Sequence, residues 1–273
     1  MKKLSNSPEG HQFSPRKPNF SLQQALASDW YDGNAFRTAF ENAFSMLFPL
    51  GERSFIESVK YFEKQINDPS LLNEMKQFYG QESVHRKEHQ NYNELLCQLR
   101  GYNMESLLDA QKKRYDWAKN TLPPKRRLAG TVAAEHLTAI LADDLLRNKD
   151  HFKNTDPMIS KLWYWHAIEE TEHKAVAFDV HQAVGGTIKE RRKALFFVTY
   201  FIFKDIFVIS FKMLKHDGKI WNPRTWLDAF SFLFFKPGIL RRCFFSWLRF
   251  LRSDFHPWEQ DNRDLILKWD NKF

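Results

Sequence analysis

Two couplets of the form Glu-x-x-His, Glu82-Ser-Val-His85 and Glu170-Thr-Glu-His173, are the residues of this chain best suited to chemistry. A lone glutamate in an apolar helical stripe precedes each of them, Glu52 before the first and Glu135 before the second. Carboxylate oxygens are hard ligands, some of which bridge two cations, and imidazole adds a nitrogen that suits iron, zinc or manganese. Four carboxylates aimed into a core have little structural purpose, because buried charge is costly unless it is paired or holds metal. The pattern predicts a centre for two metal ions, iron first, with manganese or zinc as alternatives. Such a centre supports either redox chemistry with O2 or hydrolysis by a metal-activated water.

Helical spacing selects the ligands, since positions three, four and seven apart share a face. In the first core helix Phe48, Glu52, Phe55, Ile56 and Val59 form one stripe, and Glu57 falls instead beside Arg53 and Lys60 on a solvated face. In the second, Met75, Phe78, Glu82, His85, His89 and Tyr92 align, which makes His89 either a further ligand or a support for one. In the third, Glu135 lies among Leu128, Val132, Ala139, Ala142 and Leu146, where the alanines leave room for a close neighbour. His136 is one residue off that stripe and is expected to be structural or supporting. In the fourth, Leu162, His166, Glu170, His173, Ala177 and Val180 align. His166 is thus offered as an additional nitrogen ligand one turn before Glu170, with Glu169 flanking the face and Glu172 pointing elsewhere.

The elements that must carry these residues read as helices. With 273 residues, 43% hydrophobic, the chain can bury a substantial core, and its ten glycines and few alternating Val/Ile/Thr runs argue against a β-rich fold. A helix-rich stretch is predicted from Ser21 to Ile66, with Pro49 expected to kink or divide it. A second helix follows from Leu71 to Leu99, stopped by Gly101; a shorter one covers Met104 to Asn120; a third core helix runs from Arg127 to Lys149. Asp156-Pro157 opens the fourth, which is expected to run to Val184 and close at Gly185-Gly186. The first 24 residues, polar and proline-dotted, read as a mobile arm; Met1-Lys-Lys resembles a signal-peptide start, but no apolar stretch follows it. The expected organisation is an arm over 1–24, a metal-binding bundle over 25–190 and an aromatic, basic extension over 191–273 packed on it.

That extension holds fourteen of the chain's 26 phenylalanines between Leu195 and Phe255. Leu195–Leu214 is nearly long enough to cross a bilayer, but Lys204 and Asp205 at its middle would each cost about 2.5–3.5 kcal/mol there, which argues against a spanning helix. Trp226–Leu251, broken at Lys236-Pro237-Gly238 and carrying Arg241, Arg242, Arg249 and Arg252, reads either as capping helices or as a lobe lying on a membrane surface. The net charge of +8 suits an anionic partner, and without a nucleic-acid-reading motif no nucleic acid is expected. Cys97 and Cys243 form no Cys-x-x-Cys pair, which favours free thiols in a reducing cytoplasm, with peripheral contact on the inner membrane face as the alternative setting.

Several blocks resemble a known bacterial family described as predicted metal-dependent hydrolases. They are Phe48-Pro-Leu-Gly-Glu52, Gln81-Glu-Ser-Val-His-Arg-Lys-Glu-His89, Ala134-Glu-His136, Trp165-His-Ala-Ile-Glu-Glu-Thr-Glu-His-Lys174 and Asp254-Phe-His-Pro-Trp258. The resemblance runs from about Ala35 to Trp269 and implies an all-α, ferritin-like four-helix bundle, here with extra C-terminal apolar helices. In ligand spacing the chain is also similar to di-iron N-oxygenases of aminoarenes, whose His-x-x-x-Glu-x-x-His block gives one iron an extra histidine. That similarity implies Glu52, Glu82, His85, Glu135, His166, Glu170 and His173 as ligands, with His89 a departure from the pattern.

The leading functional expectation is an O2-activating di-iron oxidase or oxygenase, which needs O2, an electron donor and a small apolar or amphipathic substrate. A hydrolase using metal-activated water is the alternative; no Gly-x-Ser-x-Gly nucleophile motif competes with it. A non-catalytic metal- or membrane-binding protein is the third.

Overall fold

The computed structural model describes residues 4–148 and 150–270. Among them no strand forms, and a single β-bridge joins Tyr31 to Thr155. After a one-turn helix α1 (Gln23–Leu26), the long elements are α2 (Ala35–Lys60), α3 (Pro69–Arg100), α4 (Met104–Thr121), α5 (Pro124–Arg147) and α6 (Pro157–His173). Then come α7 (Val176–Ala183), α8 (Ile188–His216), α9 (Pro223–Phe234), α10 (Ile239–Arg249) and α11 (Arg263–Asp270).

Local chemistry sets most of these boundaries. The side chains of Asn34, Asp68, Asn103, Asp156 and Asn222 accept hydrogen bonds from the first-turn N–H groups of α2, α3, α4, α6 and α9. Proline follows Asp68, Asp156 and Asn222 directly, where its missing N–H removes nothing from the helix. Thr187 and Glu190 close a reciprocal cap on α8, and Gly101 ends α3 at φ 69°, a conformation glycine adopts without steric penalty.

Three elements depart from the sequence expectation. Pro49 does not divide α2, which runs unbroken past it. Proline withdraws the N–H that would bond the Ser45 carbonyl four residues back, and that carbonyl accepts instead from Asn93 Nδ2 of α3 at 3.0 Å. The fourth core helix, expected to reach Val184, breaks immediately after His173 into α6 and α7. The third stops at Arg147, and its expected end at Lys149 lies outside the described residues, as do Met1–Lys3.

α2 packs on α3 and α5 on α6, and α8 lies against both α2 and α5. One apolar cluster runs from Leu22 through α2 and α6 to Trp269, and a second joins Val59 to Phe255, so the C-terminal third shares its core with the bundle. By length and composition α8 is apolar enough to cross a membrane. Its Asp205, however, is buried and ion-paired with Arg114 of α4, and Ile206, Ile209, Met213 and Leu214 are buried with it. The described part of the N-terminal segment is held to the bundle: Ser5 Oγ donates to Glu74 at 2.6 Å, Asn6 N to Asp179 at 3.0 Å and Arg16 to Glu172 at 2.6 Å. Pro15 sits so close over Gly80 of α3 that a Cβ there would collide with its ring.

Candidate metal centre

All seven expected ligands are buried, and six of them fall into two groups whose donor atoms lie within 4.8 Å of one another: Glu52, His85 and His166, and Glu82, Glu170 and His173. Glu170 Oε1 lies between the groups, 2.9 Å from His166 Nε2, 3.5 Å from His85 Nδ1 and 3.7 Å from His173 Nε2. Glu135 joins the second group with a carboxylate oxygen 3.6 Å from His173 Nε2, and Glu82 is closer, at 3.2 Å. α2, α3, α5 and α6 therefore each bring residues to one point, as the spacing predicts.

Their donor atoms lack protein partners. Both carboxylate oxygens of Glu52, Glu82 and Glu135, Glu170 Oε2 and His173 Nε2 are buried and make no hydrogen bond. Native structures almost never leave buried polar atoms in this state unless something else satisfies them. Burial pushes the carboxyl groups of Glu52, Glu82 and Glu135 upward, with neighbouring carboxylates reinforcing it. Burial acts the same way on Glu170, but His173, His166 and His85 outweigh it and hold that carboxyl well below the usual range. His173 is the counterpart: burial opposes its charge, yet the carboxylates raise its pKa well above the ordinary value. The pocket demands positive charge at this point.

The histidines are oriented by neighbours behind them. Asn93 Nδ2 is committed to the Ser45 carbonyl, so Asn93 Oδ1 faces Ser45 Oγ, whose proton it takes at 2.8 Å. With that proton spent, Ser45 Oγ can only accept from His89 Nδ1–H, at 2.9 Å. His89 Nε2 then accepts from His166 Nδ1–H at 2.6 Å, and the lone pair of His166 Nε2 is left facing Glu170. Burial, helped by His85, lowers the His166 pKa to about 4, and burial beside His166 lowers that of His89 well below its ordinary value, so both rings are neutral. A bare nitrogen 2.9 Å from a carboxylate oxygen needs a cation between them. His89 thus stands behind His166 and belongs to neither donor group.

His173 is fixed in the same manner. Gln81 Nε2 donates to Glu172 Oε2 at 2.7 Å, which turns Gln81 Oε1 to accept from His173 Nδ1–H at 2.9 Å and frees Nε2 toward the carboxylates. Glu172, expected to point away, is buried and gripped by Arg16. Glu169 accepts from Trp165 Nε1 at 3.1 Å and from the Arg16 backbone at 2.9 Å. Its other oxygen lies 3.0 Å from His85 Nε2, close enough for strong attraction but off-line for a hydrogen bond. Burial lowers the pKa of His85, but Glu169 and Glu170 outweigh that and raise it to about 10.

His136 belongs to neither group. Its ring stacks on Phe250 at 4.5 Å and its Nε2 bonds the Ser246 carbonyl, because one residue off the stripe turns a side chain roughly 100° around the helix. Ser45, Gln81, Asn93 and Arg16 went unidentified in the sequence. Only Gln81, beside the Glu82 couplet, carried a positional hint.

An all-helical fold that converges four carboxylates and three imidazoles defines a metal-binding carboxylate–histidine protein, and the donor set fits two cations of the iron, manganese or zinc kind. The chain belongs to the family described as predicted metal-dependent hydrolase, whose model matches residues 14–261. Among curated proteins and solved structures, none matches it.

Proposed function

We propose that this chain is a two-metal hydrolase acting on a substrate with an apolar group. Glu52, His85 and His166 hold one ion, Glu82, Glu170 and His173 the other, and Glu135 completes the set. The observation that carries the reading is a cavity of about 390 Å³ that ends on His166 and Glu170. Its walls are almost wholly carbon, with Phe44, Phe48, Leu141, Ile206, Leu240 and Trp247 among them. That volume falls in the range of small-molecule sites, which are mostly apolar with a few placed polar groups. Bound cations supply an acidified water and polarise a carbonyl. The chain's own residues seat the apolar group, aim the ring nitrogens of His166 and His173 and exclude bulk water. Phe48, 4.4 Å from the His166 ring and 4.5 Å from His89, covers the relay behind the centre.

The test is turnover of p-nitrophenyl esters of increasing acyl length by zinc- or manganese-loaded protein without O2. Activity should rise with acyl length and vanish on chelation; no ester or amide turnover with any divalent metal overturns the reading.

A second reading, O2-dependent oxidation by iron with an external electron donor, is favoured by one observation. The cavity has few polar groups to receive a leaving group, whereas oxidation of a hydrocarbon chain needs none. O2 consumption that requires iron and substrate, with zinc protein inert toward esters, would select it.

A further inference from the structure

The outer faces of α8, α9 and α10 carry an apolar surface that the bundle does not use. On α8, Phe196, Tyr200, Phe207 and Phe211 form one exposed stripe, and α9 adds Leu227 and Phe230, 69% and 56% exposed. On α10, Phe244, Phe245 and Leu248 are exposed between Arg241 and Arg249 on the same face. Ring contacts join the helices: Phe196 meets Trp247 edge-on at 5.3 Å, and Phe211 approaches Trp226 at 6.4 Å with its ring tilted. Monomeric proteins rarely expose a continuous apolar patch of this extent without a partner.

Charge selects the partner. Between Ile188 and Arg249 the chain has thirteen Lys and Arg against four Asp and Glu. Of those four, Asp205 is buried in its pair with Arg114, Asp217 is paired with Arg100, and Glu190 caps its own helix. Lys204 rises from the apolar stripe itself with its ammonium beside the Tyr200 ring, as a side chain does when it lifts its charge from oil to headgroups. Of the cations, Arg242 is paired with Asp144 and Arg191 is buried, and the rest are exposed; phenylalanines edged by exposed cations match acyl chains edged by anionic phosphates.

The cavity opens on this face. Thr199, Ile202 and Phe203 of α8 and Leu240 and Phe244 of α10 line it, and Phe244 is also 51% exposed, so the gap between the two helices reaches the surface there. We propose that this face docks on an anionic bilayer and that an acyl chain passes from the bilayer between α8 and α10 to the metal centre. The substrate class is then a membrane-dissolved amphiphile. That the seated chain is turned over rests on the functional reading above; docking and filling of the cavity do not.

The experiment uses the full chain with vesicles of phosphatidylcholine alone or mixed with phosphatidylglycerol, some carrying a diazirine at the acyl terminus. Protein should sediment with the mixed vesicles at low salt, leave them at high salt, and take label within Thr199–Ile206 and Ile239–Trp247. Phe245→Glu/Leu248→Glu changes exposed side chains that do not line the cavity. It should weaken vesicle binding at least tenfold while helicity and metal content stay unchanged. The proposal falls if mixed vesicles are not bound, if the variant binds equally well, or if label stays on outer-face residues. It falls also if binding resists salt and alkaline wash, which would mean α8 is inserted, or if sedimentation velocity shows a dimer that the variant dissociates. Binding and labelling need no turnover, so they can succeed where ester hydrolysis fails.

Discussion

Asn93 lies 1% exposed at the head of the relay that orients His166, and it is there because Pro49 leaves the Ser45 carbonyl without its helical partner. Replacing it by leucine, Asn93→Leu, keeps the bulk but removes the Asn93 partners of the Ser45 carbonyl and of the Ser45 hydroxyl proton in a fully buried place. Each lost partner costs about 1–3 kcal/mol, so stability should fall by about 2–6 kcal/mol. Tm should drop by roughly 5–15 °C for a chain of this size. The freed Ser45 proton can then turn toward His89 Nδ1, which sets a proton on His89 Nε2 against His166 Nδ1–H and disturbs the ligand tautomer. Metal affinity should therefore fall about 10–100-fold, the usual consequence of losing a residue that orients a ligand. Pro49→Ala separates the two effects. In the Asn93→Leu background it restores a helical N–H to the Ser45 carbonyl and should recover about 1–2 kcal/mol. Metal affinity should stay low, because Asn93 Oδ1 is no longer there to hold the Ser45 proton away from His89. Denaturant unfolding of the four proteins in the cycle, with metal titration on each, reads both quantities. A coupling below about 0.5 kcal/mol between positions 49 and 93 would refute the argument from the freed carbonyl.

Glu135→Ala should lower metal content sharply, whereas Glu57→Ala should not, since Glu57 bonds Arg53, Tyr115 and Lys119 at the surface; equal losses by metal analysis would place the face wrongly. His166→Phe keeps an aromatic ring, so retained metal occupancy and an unchanged iron spectrum would reduce that residue to packing. His181 tests pH dependence away from the centre. Burial lowers its pKa from 6.5 to about 4, and its Nε2 has no hydrogen-bond partner. The unfolded chain thus binds the proton more readily, and stability is lost as pH falls from 6.5 toward 4. His181→Leu should shrink the stability difference between about pH 7 and pH 5 by about 2 kcal/mol; an unchanged slope in denaturant unfolding counts against it.

The helices and the inward face of each were legible because both are local. Apolar spacing placed Glu52, Glu82, Glu135 and Glu170 inside and Glu57 outside, and the Asp-Pro pairs and Gly101 marked starts and stops. What spacing does not encode is who stands across the gap. Pro49 read as a helix breaker because its remedy, Asn93, lies on another helix. The break after His173 had no such local sign, and the structure offers no residue that causes it. The sequence argued against α8 as a spanning helix on account of Lys204 and Asp205 together, and the structure gives the two residues opposite fates. Asp205 turns inward to Arg114, while Lys204 stays on the exposed stripe. Adjacent residues on a helix face about 100° apart, so a charged pair need not share an environment.

The ligand types were legible for a different reason from the ligand orientations. Carboxylates and imidazoles in repeated order are a statement about composition on a face, and composition survives without knowledge of the fold. Orientation depends on where each imidazole proton goes, which is decided by residues far apart in sequence. His166 is set by Ser45 and Asn93 through His89, and His173 by Gln81, which Glu172 and Arg16 hold in turn. Both arrangements end in a ring Nε2 facing carboxylates. A single such arrangement could be an accident of packing. Two of them, built from different partners and converging on Glu170 from His166 and His173, are the signature of a place kept for positive charge. The proline in α2 and the arginine of the N-terminal segment, neither within the couplets, are each part of what keeps it.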